Sequence, residues 1–142
     1  EMRLVTGVQT CALPILSEEE LLYMHRNKTG QLIKASIVCG AILGNADEAD
    51  LSNLKEYGDK LGLAFQIKDD ILDIIGDVTI LGKNIKSDEF NNKTTFITMY
   101  GLEKCKEKCN DLTQECFEIL KKMEGNTIYL EEITEFLLKR KH

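Results

Sequence analysis

The chain has 142 residues, a formal net charge of -6, and 43% hydrophobic content, which fits one compact domain burying roughly 70% of the surface its unfolded form exposes. The acidic balance speaks against nucleic acid or an anionic membrane surface as the main partner, since both attract basic faces, while an anionic small molecule stays open if a metal carries the charge. No run reaches the roughly 18 to 20 apolar residues of a bilayer span, and no basic segment leads into an apolar stretch at the amino end, so the chain reads as cytoplasmic with no membrane span.

Residues 1–15, EMRLVTGVQTCALPI, resemble the translation of a sequencing-library adaptor and are set aside from fold reasoning as a non-native segment. They hold the only proline, Pro14, and show neither helical nor strand periodicity. The remainder, residues 16–142, reads as one all-α unit. Ser17 followed by Glu18, Glu19 and Glu20 offers a helix cap, its partner three residues on, and acids for the positive helix end. A helix is expected from there to Gly44, burying Leu21, Leu22, Leu32, Ile33, Ile37 and Ala41. The polar run HisArgAsnLysThrGly at 25–30 interrupts it and predicts a kink or local break near Thr29 and Gly30.

A second helix is expected over residues 47–75, with Leu51, Leu54, Leu61, Ala64, Ile71 and Leu72 on its inner side. Residues 76–93 dissolve into glycine, asparagine and charge, which reads as a surface loop of the length that is usually functional or disordered. A short helix follows at 94–100. Leu102, Cys105, Cys109, Leu112, Cys116, Leu120 and Met123 then alternate spacings of three and four, the mark of an amphipathic helix. A last helix over residues 130–140 buries Leu130, Ile133 and Leu137 and ends in basic residues suited to a helix carboxyl end.

Cysteine usage points to a reducing compartment. Of the five cysteines, Cys11 lies in the segment set aside, and Cys39, Cys105, Cys109 and Cys116 sit in apolar helical patterns, so free buried thiols are expected. A metal site on Cys105 and Cys109 lacks the second cysteine pair or the histidines that zinc spacing requires.

Chemistry concentrates in PheGlnIleLysAspAspIleLeuAsp at 65–73. On a helix, Asp69 and Asp73 face the same way, with Gln66 one turn earlier and Asp70 alongside. Like charges at that spacing cost a few tenths of a kcal/mol on the order of one weak contact. Magnesium would repay it, because it prefers oxygen ligands and commonly bridges one or two carboxylates to substrate phosphates. The same spacing also suits a solvated acidic stripe. Upstream, LysThrGly at 28–30 places a cation and a hydroxyl at the suspected break, where freed carbonyl groups could face a ligand, and equally describes a surface lysine beside a flexible glycine. Lys83 and Lys93 in the loop could pair with phosphate or solvate the loop.

In their order, HisArgAsnLysThrGly, GlyLeuAlaPheGlnIleLysAspAspIleLeuAsp, GlyAsp, LeuGlyLys and SerAspGluPheAsnAsnLysThrThr resemble the trans-isoprenyl diphosphate synthases, closest to bacterial farnesyl or geranylgeranyl diphosphate synthases. The similarity runs from Leu16 to the end. It implies the carboxyl-terminal portion of the isoprenoid synthase helical bundle and a prenyltransferase joining an allylic diphosphate to isopentenyl diphosphate, with Mg2+ as cofactor and a homodimer for the full-length protein. Asp69 would be a magnesium ligand, with Asp70 and Asp73 as ligands or supporting carboxylates. Lys28 and Lys83 would hold the allylic diphosphate, with Lys93 near it. Thr29 and Gln66 would stabilise the allylic cation, and Phe65 would shape the pocket beside the incoming alkene. Many bacterial members carry tyrosine where Phe96 stands.

The resemblance also implies a first aspartate-rich motif, and the basic residues for isopentenyl diphosphate, that nothing in this sequence supplies. The polypeptide alone is therefore expected to be inactive, with apolar helix faces left exposed. Two other readings compete with it: a non-catalytic subunit that completes a heteromeric prenyl synthase by helix packing, and an unrelated magnesium diphosphatase.

Overall fold

The computed structural model describes residues 17–81 and 95–140, with side chains as far as residue 75 in the first span. Among these residues the chain is all-α: α1 (Glu18–His25), a π-helical turn (Arg26–Gly30), α2 (Gln31–Leu43), α3 (Glu48–Leu81), α4 (Phe96–Tyr100), α5 (Leu102–Leu120) and α6 (Ile128–Lys139). No described helix is long and apolar enough to cross a membrane.

The expected cap opens α1. Ser17 Oγ accepts from the Glu20 N–H at 3.3 Å and Glu20 Oε2 accepts from the Ser17 N–H at 2.8 Å, satisfying two amide donors that a helix start leaves unpaired. The irregularity expected near Thr29 and Gly30, a kink or a local break, takes the form of a widened turn: backbone bonding passes to π geometry over Arg26–Gly30, and the Gln31 N–H reaches the Arg26 carbonyl. A π turn absorbs one extra residue without interrupting the helix, so α1 and α2 stay continuous through it.

After α2 the chain reverses at Asn45, which takes a left-handed φ of 55°, a conformation asparagine tolerates. The Ala46 N–H closes back on the Ala41 carbonyl at 3.0 Å. Asp47 then caps α3, its Oδ1 accepting from the Asp50 N–H at 2.8 Å. Helix α3 runs past the expected end at Ile75 to Leu81; the glycine at 76 lowers helix propensity by only about 1 kcal/mol, which the residues around it override.

Helix α3 is the axis of the domain. It returns antiparallel to α2, and the two backbones touch: a Cβ on Gly62 would lie 2.7 Å from Gly30 Cα, and one on Gly58 would lie 3.0 Å from Lys34 Cα. Only residues without side chains allow that approach. Lys34 adds an ion pair to Asp59 at 2.6 Å. On its other side, Leu54, Tyr57, Leu61, Ala64, Ile67 and Ile71 form one core with Cys105, Cys109, Leu112, Cys116, Ile119 and Leu120 of α5, as the three-and-four spacing of both helices requires.

Three burial expectations need correction. Leu32 is 68% exposed and Cys39 is exposed, because α3 reaches α2 through Ile33, Ile37 and Ala41 and leaves the opposite side of that apolar helix uncovered. In α6, Leu130 and Leu137 pack against the core as expected, but Thr134 is fully buried and Ile133 is 47% exposed. The cause is Tyr57: its buried hydroxyl meets Thr134 Oγ1 at 2.8 Å and donates to the Leu130 carbonyl at 3.1 Å, and a buried phenol needs such partners.

Candidate active site

The Gly30–Gly62 contact fixes the site. It presses the π turn, with Lys28 and Thr29, against the stretch of α3 that carries Phe65, Gln66, Asp69, Asp70 and Asp73. The other two boundaries are the start of α4 and the end of α6. Thus the Phe96 N–H donates to Asp70 Oδ2 at 2.9 Å. Arg140 donates through Nη2 to Asp69 Oδ1 and lies over the Phe65 ring, 4.2 Å from its centroid, within cation–π range.

The three aspartates do not behave alike. Asp73 is exposed. The Asp69 side chain is 41% exposed, and that of Asp70 is 12% exposed and turned inward. Burial pushes the Asp69 carboxyl above the ordinary carboxylate range, and Asp73 adds to this, against the opposing pull of Arg140 and Lys28. Burial likewise raises Asp70, with Asp73 and Asp69 in the same direction, while the Phe96 N–H and His25 act the other way.

Behind the carboxylates lies a polar contact made wholly of buried groups. Gln66 is 3% exposed and His25 is 6% exposed, and His25 Nδ1 lies 3.1 Å from Gln66 Oε1. The imidazole stacks on Phe96 with 4.7 Å between centroids, and its Nε2 faces Asp70 Oδ2 at 4.0 Å.

Magnesium, the metal implied by the resemblance, can be tested against this donor set. Among the described residues no three His, Cys, Asp or Glu side chains converge to form a protein cage for a metal. Asp69 and Asp73 instead offer oxygen donors one turn apart at the open edge of α3. That suits an ion that binds through one or two carboxylates and completes its shell with water and phosphate oxygens. The donors fit magnesium in that mode. Cys105 and Cys109 sit elsewhere, in the α3–α5 core, where burial raises both thiols and Cys109 Sγ contacts the Ala64 carbonyl at 3.8 Å.

Of the residues singled out in the sequence, Lys28 and Thr29 lie on the π turn packed against the middle of α3, where Phe65, Gln66, Asp69, Asp70 and Asp73 stand, and Lys83 and Lys93 lie outside the described residues. Two members of the cluster were missed. His25 read as part of a polar interruption, and Arg140 as a charge at a helix end. Neither carries a local signal, because each meets α3 across a long sequence separation.

An all-helical domain with this motif order has a clear affiliation: the family model for polyprenyl synthetase matches residues 6–135, and the chain belongs to that family. The match begins inside the segment set aside at the amino end. Among individual relatives, the chain is 38% identical over 125 residues to the farnesyl diphosphate synthase of Micrococcus luteus, covering 88% of this chain and 43% of that one. It is 39% identical over 127 residues to the farnesyl diphosphate synthase of Geobacillus stearothermophilus, covering 89% and 43%. The apo crystal structure of an FPP/GFPP synthase from Zymomonas mobilis superposes with a TM-score of 0.74 at 27% identity, covering 92% of this chain and 41% of that one. The chain thus spans less than half the length of the relatives it matches.

Proposed function

We propose that this chain carries the second-aspartate-motif side of a prenyltransferase site, binding an allylic diphosphate for condensation with isopentenyl diphosphate to give farnesyl or geranylgeranyl diphosphate. The observation that carries the reading is the convergence, around the Gly30–Gly62 contact, of a cation and hydroxyl from one helix with a glutamine and two accessible carboxylates from the next. That assembly combines charge neutralisation for a diphosphate with oxygen dipoles for a developing cation.

Each residue has a physical task. Lys28, whose charge is felt at Asp69, would hold diphosphate oxygens and favour departure of the leaving group. Lys83 and Lys93 would add to that charge. Asp69 and Asp73, with Asp70 behind them, would hold magnesium, which when bound draws negative charge from the diphosphate. Thr29 and Gln66 would present oxygen lone pairs to the allylic cation left by carbon–oxygen cleavage, with no reorganisation at the moment of reaction. Phe65 would form the apolar wall that keeps water from trapping the cation. The isopentenyl double bond then attacks, and a proton leaves, with released diphosphate as its acceptor.

Titration calorimetry of the chain with geranyl diphosphate tests this. Binding should require magnesium, and Asp69→Ala should weaken it at least tenfold, as expected for a lost charged ligand. Equal binding with and without magnesium, or tolerance of Asp69→Ala, would sink the proposal and favour a scaffolding role. Turnover by the chain alone with both diphosphates would show that the half-site reading is wrong.

A further inference from the structure

We infer that Arg140 is a positioning residue that stands in for the metal at rest: its guanidinium covers the Asp69 carboxylate and the Phe65 ring together, and leaves both when magnesium binds at Asp69. The exchange rests on the prenyltransferase reading, which supplies the magnesium; the resting contact does not.

The contact joins two groups that the proposed chemistry needs free. Arg140 Nη2 donates to Asp69 Oδ1, and the same guanidinium lies over the Phe65 ring, 4.2 Å from its centroid, within cation–π range. Of the carboxylates on this stretch of α3, Asp70 is turned inward on the Phe96 N–H and Asp73 is exposed, so Asp69 is the one the guanidinium holds. A divalent cation on that carboxylate would meet Arg140 as a like charge at close range, in a site shielded from part of the solvent. The two cations are therefore alternatives.

Arg140 is held in a way that it can give up. A guanidinium matched to a carboxylate uses two parallel N–H donors, whereas Arg140 engages Asp69 through Nη2 while its Nε is buried with no acceptor among the described residues. A buried donor without a partner costs stability, and release returns it to water. The backbone allows the move. Helix α6 is anchored by Leu138, which is 6% exposed, but it ends at Lys139, and Arg140 stands beyond it in an extended conformation with φ -56° and ψ 147°. Rotation at that residue and along its side chain carries the guanidinium away while the packing of α6 on α3 stays as it is.

Release has a second consequence at Phe65. The ring face under the guanidinium belongs to the apolar wall of the proposed pocket, so exchange of Arg140 for magnesium uncovers the wall as the charge site fills. Metal and apolar substrate are then coupled through one side chain, each favouring the state that admits the other. At rest the same cation offsets the repulsion that Asp73 exerts on Asp69.

The test follows the Arg140 Nε–H resonance in 1H–15N spectra of the 142-residue chain, assigned by comparison with Arg140→Gln, as magnesium chloride alone is added. Without metal the resonance should carry the upfield shift of a group over an aromatic face, and Phe65→Leu should remove that shift. Magnesium should move it to the position of a free arginine. By calorimetry, Arg140→Gln should bind magnesium about three- to tenfold more tightly than wild type, the range set by losing a partly exposed ion pair and a cation–π contact. Arg140→Lys, which keeps the charge and loses the planar fork, should fall between the two, and Lys139→Gln should match wild type. Magnesium binding with the Arg140 resonance unmoved, or with Arg140→Gln no tighter than wild type, overturns the exchange and leaves the prenyltransferase reading standing. Affinity of Arg140→Lys equal to wild type would mean repulsion by charge alone and overturns it too. Absence of magnesium binding in both wild type and Arg140→Gln removes the prenyltransferase reading and the exchange together.

Discussion

Helices α5 and α2 both lie against α3, but they do so in opposite ways. Helix α5 buries six of its side chains, whereas α2, the more apolar of the two, buries none of its thirteen. In α5 the apolar residues form one stripe between polar neighbours, and one partner completes it. In α2 apolar residues occupy every side. One flank rests on α3 through Ile33, Ile37 and Ala41, and Leu32, Ile42 and Leu43 remain 68%, 58% and 84% exposed. The α3–α5 face supplies cohesion. The α2–α3 face, with backbone against backbone at glycines, supplies placement of the site.

If that division is right, truncation at the α5 face has the largest effect. Leu61→Ala or Leu120→Ala, each removing a side chain at 1% exposure, should lower unfolding stability by about 2 to 5 kcal/mol, measured by urea denaturation. The ion pair at the same face, Lys60 to Glu115 at 2.6 Å, should matter far less, within about 1 kcal/mol for an exposed pair. A ranking in which Lys60→Ala exceeded Leu61→Ala would undo the comparison.

The second effect separates placement from cohesion. Gly62→Ala adds one methyl whose obstacle is the Gly30 backbone, 2.7 Å away, so no side-chain rotation relieves it. Overpacking of this kind costs about 1 to 3 kcal/mol. Because the strain falls at the π turn, allylic diphosphate binding should suffer more than stability. A variant that loses stability but binds geranyl diphosphate as tightly as wild type would show that the contact is ordinary packing.

How far the sequence disclosed these differences follows from where each feature is encoded. The stripe of α5 was readable, since Cys105, Cys109, Leu112, Cys116 and Leu120 stand in helical phase with charged residues between them. The outer side of α2 was not, because a helix apolar all round has no phase from which to choose a face. The burial of Thr134 in place of Ile133 was not legible, since it is set by the Tyr57 hydroxyl, a partner 77 residues away. The site motif on α3 was legible as residues, and the interruption at 25–30 as an anomaly. Their meeting was not, because the pairing of Gly30 with Gly62 leaves no mark in either local pattern. For the same reason His25 and Arg140 went unassigned.

The third effect uses pH to probe the cohesive face. Burial pushes the Cys116 thiol from 9.0 to about 12, and Cys105 and Cys109 upward in the same direction. The fold therefore favours the protonated thiol, and the unfolded chain releases its protons first. Stability from this source is complete below pH 9.0 and is lost as pH rises toward about 12. At pH 10 the loss for Cys116 should be about 1 kcal/mol. Tyr57, also raised to about 12, extends the decline above pH 10.0. Urea melts at stepped pH should show this decline, and Cys116→Val should flatten it. A pH-independent stability between pH 8 and 10 would mean that the α3–α5 core admits water.

The smallest expected effect tests the exposed flank of α2. Leu32→Lys and Leu43→Lys replace apolar side chains that this chain leaves in solvent, so each should change unfolding stability by no more than about 0.5 kcal/mol. Both should nevertheless reduce self-association in sedimentation experiments, because contiguous exposed apolar area is what drives copies together. The two readouts are diagnostic as a pair. Lower association at unchanged stability means the flank is a free surface whose burial belongs to another polypeptide segment. A stability loss as large as that of Leu61→Ala means the flank is already covered in solution, and the contrast between α2 and α5 would then describe the isolated chain rather than its associated state.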